Sequence, residues 1–437
     1  MCAIMAVVLF CAGMAGAMDA EIVTVDLSRR LGPAKCRASG FLHSISPTSP
    51  PDEMVVPLRP SLFRLSRSAG GDADAMFKVY PRVKAMGAVV HEVLGPTAAS
   101  YEGRWPGEDG DWSEWDGYVR RMIEEARGAG VTQVQWEIWN EPDTVAFWNP
   151  PTDRKKERFF ETWEHTWHLI REVDPDGVIV GPSSCYYDTE NYPGAETFFT
   201  LEEFLVFASE RSVMPDVLCF HIWFADHVGP QLERLRAFAA EEGMELPPIA
   251  INEFGDKSHW MEPGAMAWYF GEFERMGVEV AGRACWGEPD GASSCWTSNL
   301  NGLTRRGDHR PRSVWWAYKA YADIRGELVG VSLGEHIRGV AGVDEEGKAV
   351  RVLVGHRNHD RVMPVRLVVA HLEEAGFLAN GEGKVRLKVQ RIPYRGFEPL
   401  DEMVLVRDEM VAFAETMELE LPEFGARDAY VLTLRAE

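Results

Sequence analysis

The stretch VQWEIWNEPD, residues 134–143, is an aromatic, strand-like run that stops abruptly at Asn140, Glu141, Pro142 and Asp143. A second run, PIAINEFG at 248–255, delivers Glu253 in the same manner. Two carboxyls flanking one bond can cleave a glycosidic linkage, one protonating the leaving oxygen while the other attacks the anomeric carbon or activates water. A glutamate before proline says little by itself, since Glu262, Glu288 and Glu398 also precede prolines. Glu288, in WGEPDG, is the nearest decoy, but Gly287 stands where Asn140 would be, and it is read as a loop residue near the cleft. The weight rests on Asn-Glu-Pro after an aromatic strand together with a second strand ending in Glu.

Such residues need a scaffold that brings distant strand ends together. Eight short apolar runs recur at 39–45, 61–67, 88–95, 134–141, 178–184, 217–224, 248–255 and 280–287. Segments with helical spacing separate them, for example Phe159, Phe160, Trp163, Trp167, Ile170 and Val173. Alternation of this kind predicts an α/β fold, a (β/α)8 TIM barrel over residues 39–328, in which active-site residues gather at the carboxyl ends of the strands. Glu141 then closes the fourth strand and Glu253 the seventh, on opposing sides of the ring, with Pro142 ending the fourth strand.

Beyond residue 329 the pattern changes to alternating strands and turns, with EEGK at 345–348, NGEGK at 380–384, then MELELP and AYVLTLR. This predicts a C-terminal β-sandwich over 329–437, which the strand EIVTVDLS in the 21–38 segment is expected to join. The glycines at 381 and 383 are read as a turn, because no helix follows them to form a phosphate loop.

The chain has 437 residues, 46% of them hydrophobic, with 15 tryptophans and a formal net charge of −23. That charge excludes nucleic acid as the expected partner, since phosphate binding requires a basic face. Surplus tryptophans suit a sugar-binding cleft, where indole faces cover the apolar faces of pyranose rings. Residues 1–20, an apolar stretch ending among small residues, are read as an export signal, which implies a secreted or periplasmic protein. The run is shorter than the ~20 residues a bilayer core demands, so no membrane span is expected. Without Cys2 and Cys11 the cysteines are Cys36, Cys185, Cys219, Cys285 and Cys295, with no CxxC spacing and no zinc motif. Cys285 and Cys295 are the pair near enough in sequence to permit a bridge.

WEIWNEPD with INEFG downstream resembles the clan A glycoside hydrolases, and is most like family 39, the β-xylosidases, α-L-iduronidases and relatives. FHIW echoes that family's His-x-Tyr on strand six, WGEPDG takes the place of its Trp-ending strand eight, and GLTRRGDHRPRSVWWAYKAY (302–321) is similar to the loop into its final helix. The family's β-sandwich after the barrel matches the tail.

The resemblance implies a retaining glycoside hydrolase acting on an oligo- or polysaccharide without metal or organic cofactor. Glu141 would be the acid/base, its pKa raised while the nucleophile Glu253 is ionised. Asn140 would bind the sugar 2-hydroxyl. Arg64 would hold Glu253 ionised or pair with Glu137. His221 would point into the cleft to bind sugar or orient a carboxylate, Trp286 would form the platform under the sugar, and His43 and Glu92 would also contact substrate. Trp223, expected to contact substrate, stands where the clan usually has a tyrosine that donates to the nucleophile, so either Tyr186 or Tyr187 supplies the hydroxyl or the nucleophile is tuned another way. The rival readings are a carbohydrate-binding barrel without catalysis and a transglycosylase using the same residues. The sugar and linkage stay open, although Arg305, Arg306, Arg310 and Arg312 cluster beside the last loop.

Overall fold

The computed structural model describes residues 20–66, 75–95, 104–186, 196–357 and 361–436. The expected leader and Tyr187 lie outside the described residues.

After strand β1 (Glu21–Pro33), eight strands close into a parallel barrel in chain order: β2 (Gly40–Leu42), β3 (Leu62–Leu65), β4 (Val89–Leu94), β5 (Val134–Ile138), β6 (Val178–Ser184), β7 (Val217–Ile222), β8 (Ile249–Phe254) and β9 (Val280–Arg283). The ring closes where Gly40 pairs with Gly282. A Cβ on Gly40 would lie 2.4 Å from the carbonyl oxygen of Ala281, so only glycine permits this approach.

Helices cover the outside through apolar faces of helical period. In Lys155–Val173 the buried positions are Phe159, Thr162, Trp163, Thr166, Leu169 and Ile170. Helix Leu201–Arg211 starts with a reciprocal cap between Thr200 and Glu203. No helix of the described residues is long and apolar enough to cross a membrane.

The barrel interior is layered. Leu62, Val180, Cys219, Ala250 and Val280 form an apolar floor. Two residues further along β3 and β8, the period of a strand, stand Arg64 and Asn252, which meet Glu137 of β5 and Ser183 of β6 in a polar layer. This polar layer is the platform on which the carboxyls of interest rest.

The remaining strands are β10 (Glu327–Val331), β11 (Ile337–Asp344), β12 (Ala349–His356), β13 (Met363–Ala370), β14 (Lys384–Ile392), β15 (Val404–Ala412), β16 (Met417–Phe424) and β17 (Ala429–Arg435). They join β1 in a nine-stranded sheet of order β15-β14-β17-β12-β11-β10-β1-β13-β16. Alternate residues of distant strands, Val365, Leu367 and Val369 of β13 and Val385, Leu387 and Val389 of β14, share one apolar core, so the sheet folds over itself as a sandwich. The fold is a (β/α)8 barrel with a C-terminal β-sandwich. β1 pairs antiparallel with β10 and parallel with β13, so the sandwich is built from both ends of the described chain. The 380–384 stretch is a turn, with the Asn380 side chain accepting from the Glu382 and Lys384 amides.

Barrel and sandwich meet through helix Pro263–Arg275, in which ten residues are buried, several against β11 and β12. A Cβ on Gly264 or Gly271 would lie 2.3 Å from the carbonyl oxygen of His356 or Gly339 respectively. The helix backbone therefore lies directly on the sheet.

Candidate active site

β5 does not run to Pro142. It ends at Ile138, and the turn begins with Trp139 at φ 69° and continues through Glu141 at φ 45°. Left-handed conformations cost non-glycine residues ~1–3 kcal/mol and persist only where the surroundings impose them. Here Trp139 is fully buried among Trp105, Trp115 and Trp148, its indole N–H donating to the Phe147 carbonyl at 3.1 Å. The Trp139 amide still donates to Leu94 and the Glu141 amide to Ser183. Trp139 thus turns away from the barrel axis, and Asn140 and Glu141 both face its mouth.

β8 reaches the same end by another device. Phe220 pairs with Ile251 and His221 with Glu253, leaving Asn252 as an extra residue. In a regular strand Asn252 and Glu253 would point to opposite faces. The bulge lets both point inward: Asn252 donates to Glu137 at 2.9 Å, and Glu253 enters the cleft.

One guanidinium ties the layer together. Arg64 donates to Glu253 at 2.5 Å, to Asn140 Oδ1 at 2.6 Å and to both oxygens of Glu137. Both partners expected for Arg64 are therefore engaged at once. Against the cost of burial, Glu137 and Glu253 hold Arg64 charged. Burial likewise opposes ionisation of Glu137, but Arg64 holds its carboxyl below the usual range.

Glu141 has a different environment. Its carboxyl meets His221 Nδ1 at 3.1 Å, and burial pushes its pKa up to about 7 against the opposing influence of the nearby Cys185 thiol and Arg64. Burial also raises Glu253, opposed by His221 and Arg64. Only Glu253 holds a direct ion pair with a guanidinium, which favours it as the carboxyl that ionises first. His221 bridges the two, its Nε2 lying 3.8 Å from Glu253. Burial lowers the His221 pKa to about 4, so the ring is neutral at neutral pH. Its single proton either donates from Nδ1 to Glu141 or faces Glu253 from Nε2.

These groups open into a cleft of about 520 Å³ lined by His43, Arg64, Asn140, Glu141, Tyr186, Trp223, Glu253 and Trp286 among others. Of the two roles expected of His221, orienting a carboxylate fits its place: the ring is fully buried beneath the carboxyls, with Nδ1 3.1 Å from Glu141. Glu92 corrects the sequence expectation. Glu92 is also fully buried. The neighbouring His91 faces inward, 3.9 Å from Glu137, so strand alternation turns Glu92 the other way. The Trp223 indole donates to the Cys185 carbonyl at 3.0 Å and not to Glu253. Tyr186 lies in the cleft wall, with burial and the adjacent Cys185 raising its phenol pKa. Glu253 receives its strong donor from Arg64.

Trp286 lines the cleft, anchored by its indole N–H to Gly255 at 2.9 Å and 5.5 Å from Trp223 by ring centroids. His43 packs against Trp296 with the rings tilted by 32° and their centroids 4.6 Å apart, and burial and Arg64 push its pKa down to about 3. Cys285 and Cys295 are joined by a disulfide at the cleft edge, between the loops that carry Trp286 and Trp296. Glu288 does not line the cleft; it is buried in an ion pair with Arg312.

Sequence reasoning passed over Asp143, Cys185, Asn252 and Trp296. Buried Asp143 accepts from the Cys185 and Tyr186 amides and so positions the loop after β6; burial pushes its pKa up to about 7. A signal existed for Cys185, since VIVGPSSC ends a barrel strand, and for Asn252, which sits directly before Glu253.

No protein-family profile matches the chain. The structure of N2152 from Neocallimastix frontalis superimposes with a TM-score of 0.80 at 25% identity, covering 96% of this chain and all of that one. The GH39 enzyme from Xanthomonas axonopodis pv. citri gives a TM-score of 0.67 at 16% identity over 98% of this chain and 99% of its own. In sequence, a β-xylosidase of Geobacillus stearothermophilus is 26% identical over 148 residues, 33% of this chain. At 16% identity the likeness to the GH39 enzyme is one of fold. A 3-O-α-D-galactosyl-α-L-arabinofuranosidase of Bifidobacterium longum subsp. longum is also 26% identical, over 188 residues and 40% of this chain. The matches span 27% and 16% of the length of these two relatives.

Proposed function

We propose that the protein is a retaining glycosidase in which Glu141 is the acid/base and Glu253 the nucleophile. The observation that carries this reading is the contrast between two cleft-facing carboxyls. Glu253 is ion-paired to Arg64, and Glu141 rests on a neutral imidazole and a thiol with a pKa near 7. Opposed environments of this kind separate a group that must be ionised from one that must carry a proton. In the first step Glu253 attacks the anomeric carbon as Glu141 protonates the leaving oxygen; in the second, Glu141 deprotonates the water that releases the sugar. Asn140, fixed by Arg64, presents its amide N–H to the sugar.

The relatives named β-xylosidase and arabinofuranosidase make pentosides the substrates to test first. The Cys285–Cys295 bridge supports an oxidising compartment, in keeping with the export signal expected of residues 1–20.

The test is hydrolysis of aryl β-xylosides and α-L-arabinofuranosides, with the anomer released first identified by proton NMR. Retention is expected, with a loss of at least about 10³-fold in kcat for Glu253→Gln. Inversion of configuration, or full activity in Glu253→Gln, would overturn the assignment.

A further inference from the structure

Cys185 has no part in the mechanism above, yet it lines the cleft with its thiol against Glu141. One oxygen of Glu141, Cys185 Sγ and one ring nitrogen of His221 lie within 4.8 Å of one another, and all three residues are buried; the nitrogen nearest Glu141 is Nδ1. Ligand atoms around tetrahedral zinc stand ~3.3–3.8 Å apart, given bonds of ~2.0–2.3 Å. The Glu141–His221 distance of 3.1 Å would widen by a few tenths of an ångström, and the remaining pairs need close by no more than about an ångström, within reach of side-chain rotation.

We infer that Glu141, Cys185 and His221 form a binding site for a thiophilic divalent cation such as zinc, whose occupation blocks the acid/base. Three features point the same way. The donor set of one thiolate, one imidazole and one carboxylate is a zinc set, not a calcium or magnesium set. The fourth coordination position opens onto the cleft that Glu141 and Cys185 line. Coordination through Nδ1 places the imidazole proton on Nε2, which has no hydrogen-bond partner among the described residues and faces Glu253 at 3.8 Å. A closure of under an ångström would let that proton reach the Glu253 carboxylate and fix the ligating ring. The carboxylates Glu141, Asp143 and Glu253 around the thiol also favour a dication over a neutral occupant.

Binding displaces the thiol proton, and the Glu141 proton where present, to solvent, with no change in redox state. The inhibitory consequence rests on the role proposed for Glu141, whereas the site itself does not.

Cobalt(II) is therefore the probe, titrated into the metal-free full-length protein. Wild type should develop a thiolate-to-cobalt charge-transfer absorption at one equivalent, and both Cys185→Ser and His221→Gln should lose it. In parallel, zinc should inhibit hydrolysis reversibly by chelator, and Cys185→Ser should need at least about tenfold more zinc for half-inhibition relative to its own metal-free rate. No thiolate band in wild type, or a band that survives Cys185→Ser, overturns the site. A band that appears without inhibition of an active enzyme leaves the metal site standing and removes the blocked acid/base. If no substrate is cleaved, the cobalt titration still decides the site.

Discussion

Arg64 and Glu253 are joined by a 2.5 Å hydrogen bond inside the barrel, and the same guanidinium is bound to Glu137 and Asn140. A planar fork with several donors can serve three acceptors at once; a lysine ammonium cannot reach the same set. Arg64→Lys should lower kcat/KM by about 10²-fold through the ~2–3 kcal/mol carried by lost charged hydrogen bonds. Arg64→Met should fail more severely, leaving Glu137 buried without its cation at a cost of ~3–5 kcal/mol. Thermal unfolding and steady-state kinetics on both variants check this; a fully active, fully stable Arg64→Lys contradicts it.

The pKa of about 7 at Glu141 sets a pH limit with a definite sign. In the proposed role of general acid it must be protonated, so kcat/KM should fall as pH rises through about 7. The stability effect follows from the same shift. The folded pKa lies above the ordinary value of 4.5, so the folded state binds the proton more tightly and loses stability as pH rises from 4.5 through 7. Glu141→Gln removes this loss. Its melting temperature should match wild type near pH 4.5 and exceed it at pH 8. Equal melting temperatures at both pH values would show that Glu141 titrates normally.

Much of the barrel was legible because parallel strands buried on both faces read as continuous apolar runs, and all eight of them became strands. What the sequence hid was how each strand ends. Trp139 and Glu141 adopt left-handed conformations without the glycine that usually announces them. The β8 bulge leaves no mark in INEFG, since register against β7 exists only once the strands pair. Glu92 was misplaced for the same reason. Its position at a strand end was evident, but the face it occupies depends on pairing with β5. His221 was placed on the right strand, and its depth under the carboxyls depends on packing no local pattern encodes.

Trp286 and Trp223 form one wall of the cleft. Trp286 is held by its own indole N–H to a backbone carbonyl, so its ring face is fixed before substrate arrives. Trp286→Ala should raise KM about 3–10-fold, the worth of an aromatic stacking contact, with a smaller change in kcat. An unchanged KM with a collapsed kcat would place the indole against the reacting atoms instead of under the sugar.

The Cys285–Cys295 bridge closes a loop of sequence separation 10 between β9 and the segment bearing Trp296. A short loop removes only ~2–3 kcal/mol of unfolded-state entropy, so the double variant Cys285→Ser/Cys295→Ser should remain folded, with a melting temperature lower by a few degrees. Function should suffer more than stability. Trp286 follows Cys285 and Trp296 follows Cys295, so the bridge sets the distance between two aromatic walls of the cleft. His43, packed against Trp296, should move with that loop. The expected result is a KM rise exceeding that of Trp286→Ala, because two walls loosen together, while reducing agent reproduces it in wild type and leaves the double variant unaffected. If reduction lowers kcat without moving KM, the bridge acts on the carboxyls, and its link to substrate binding is wrong.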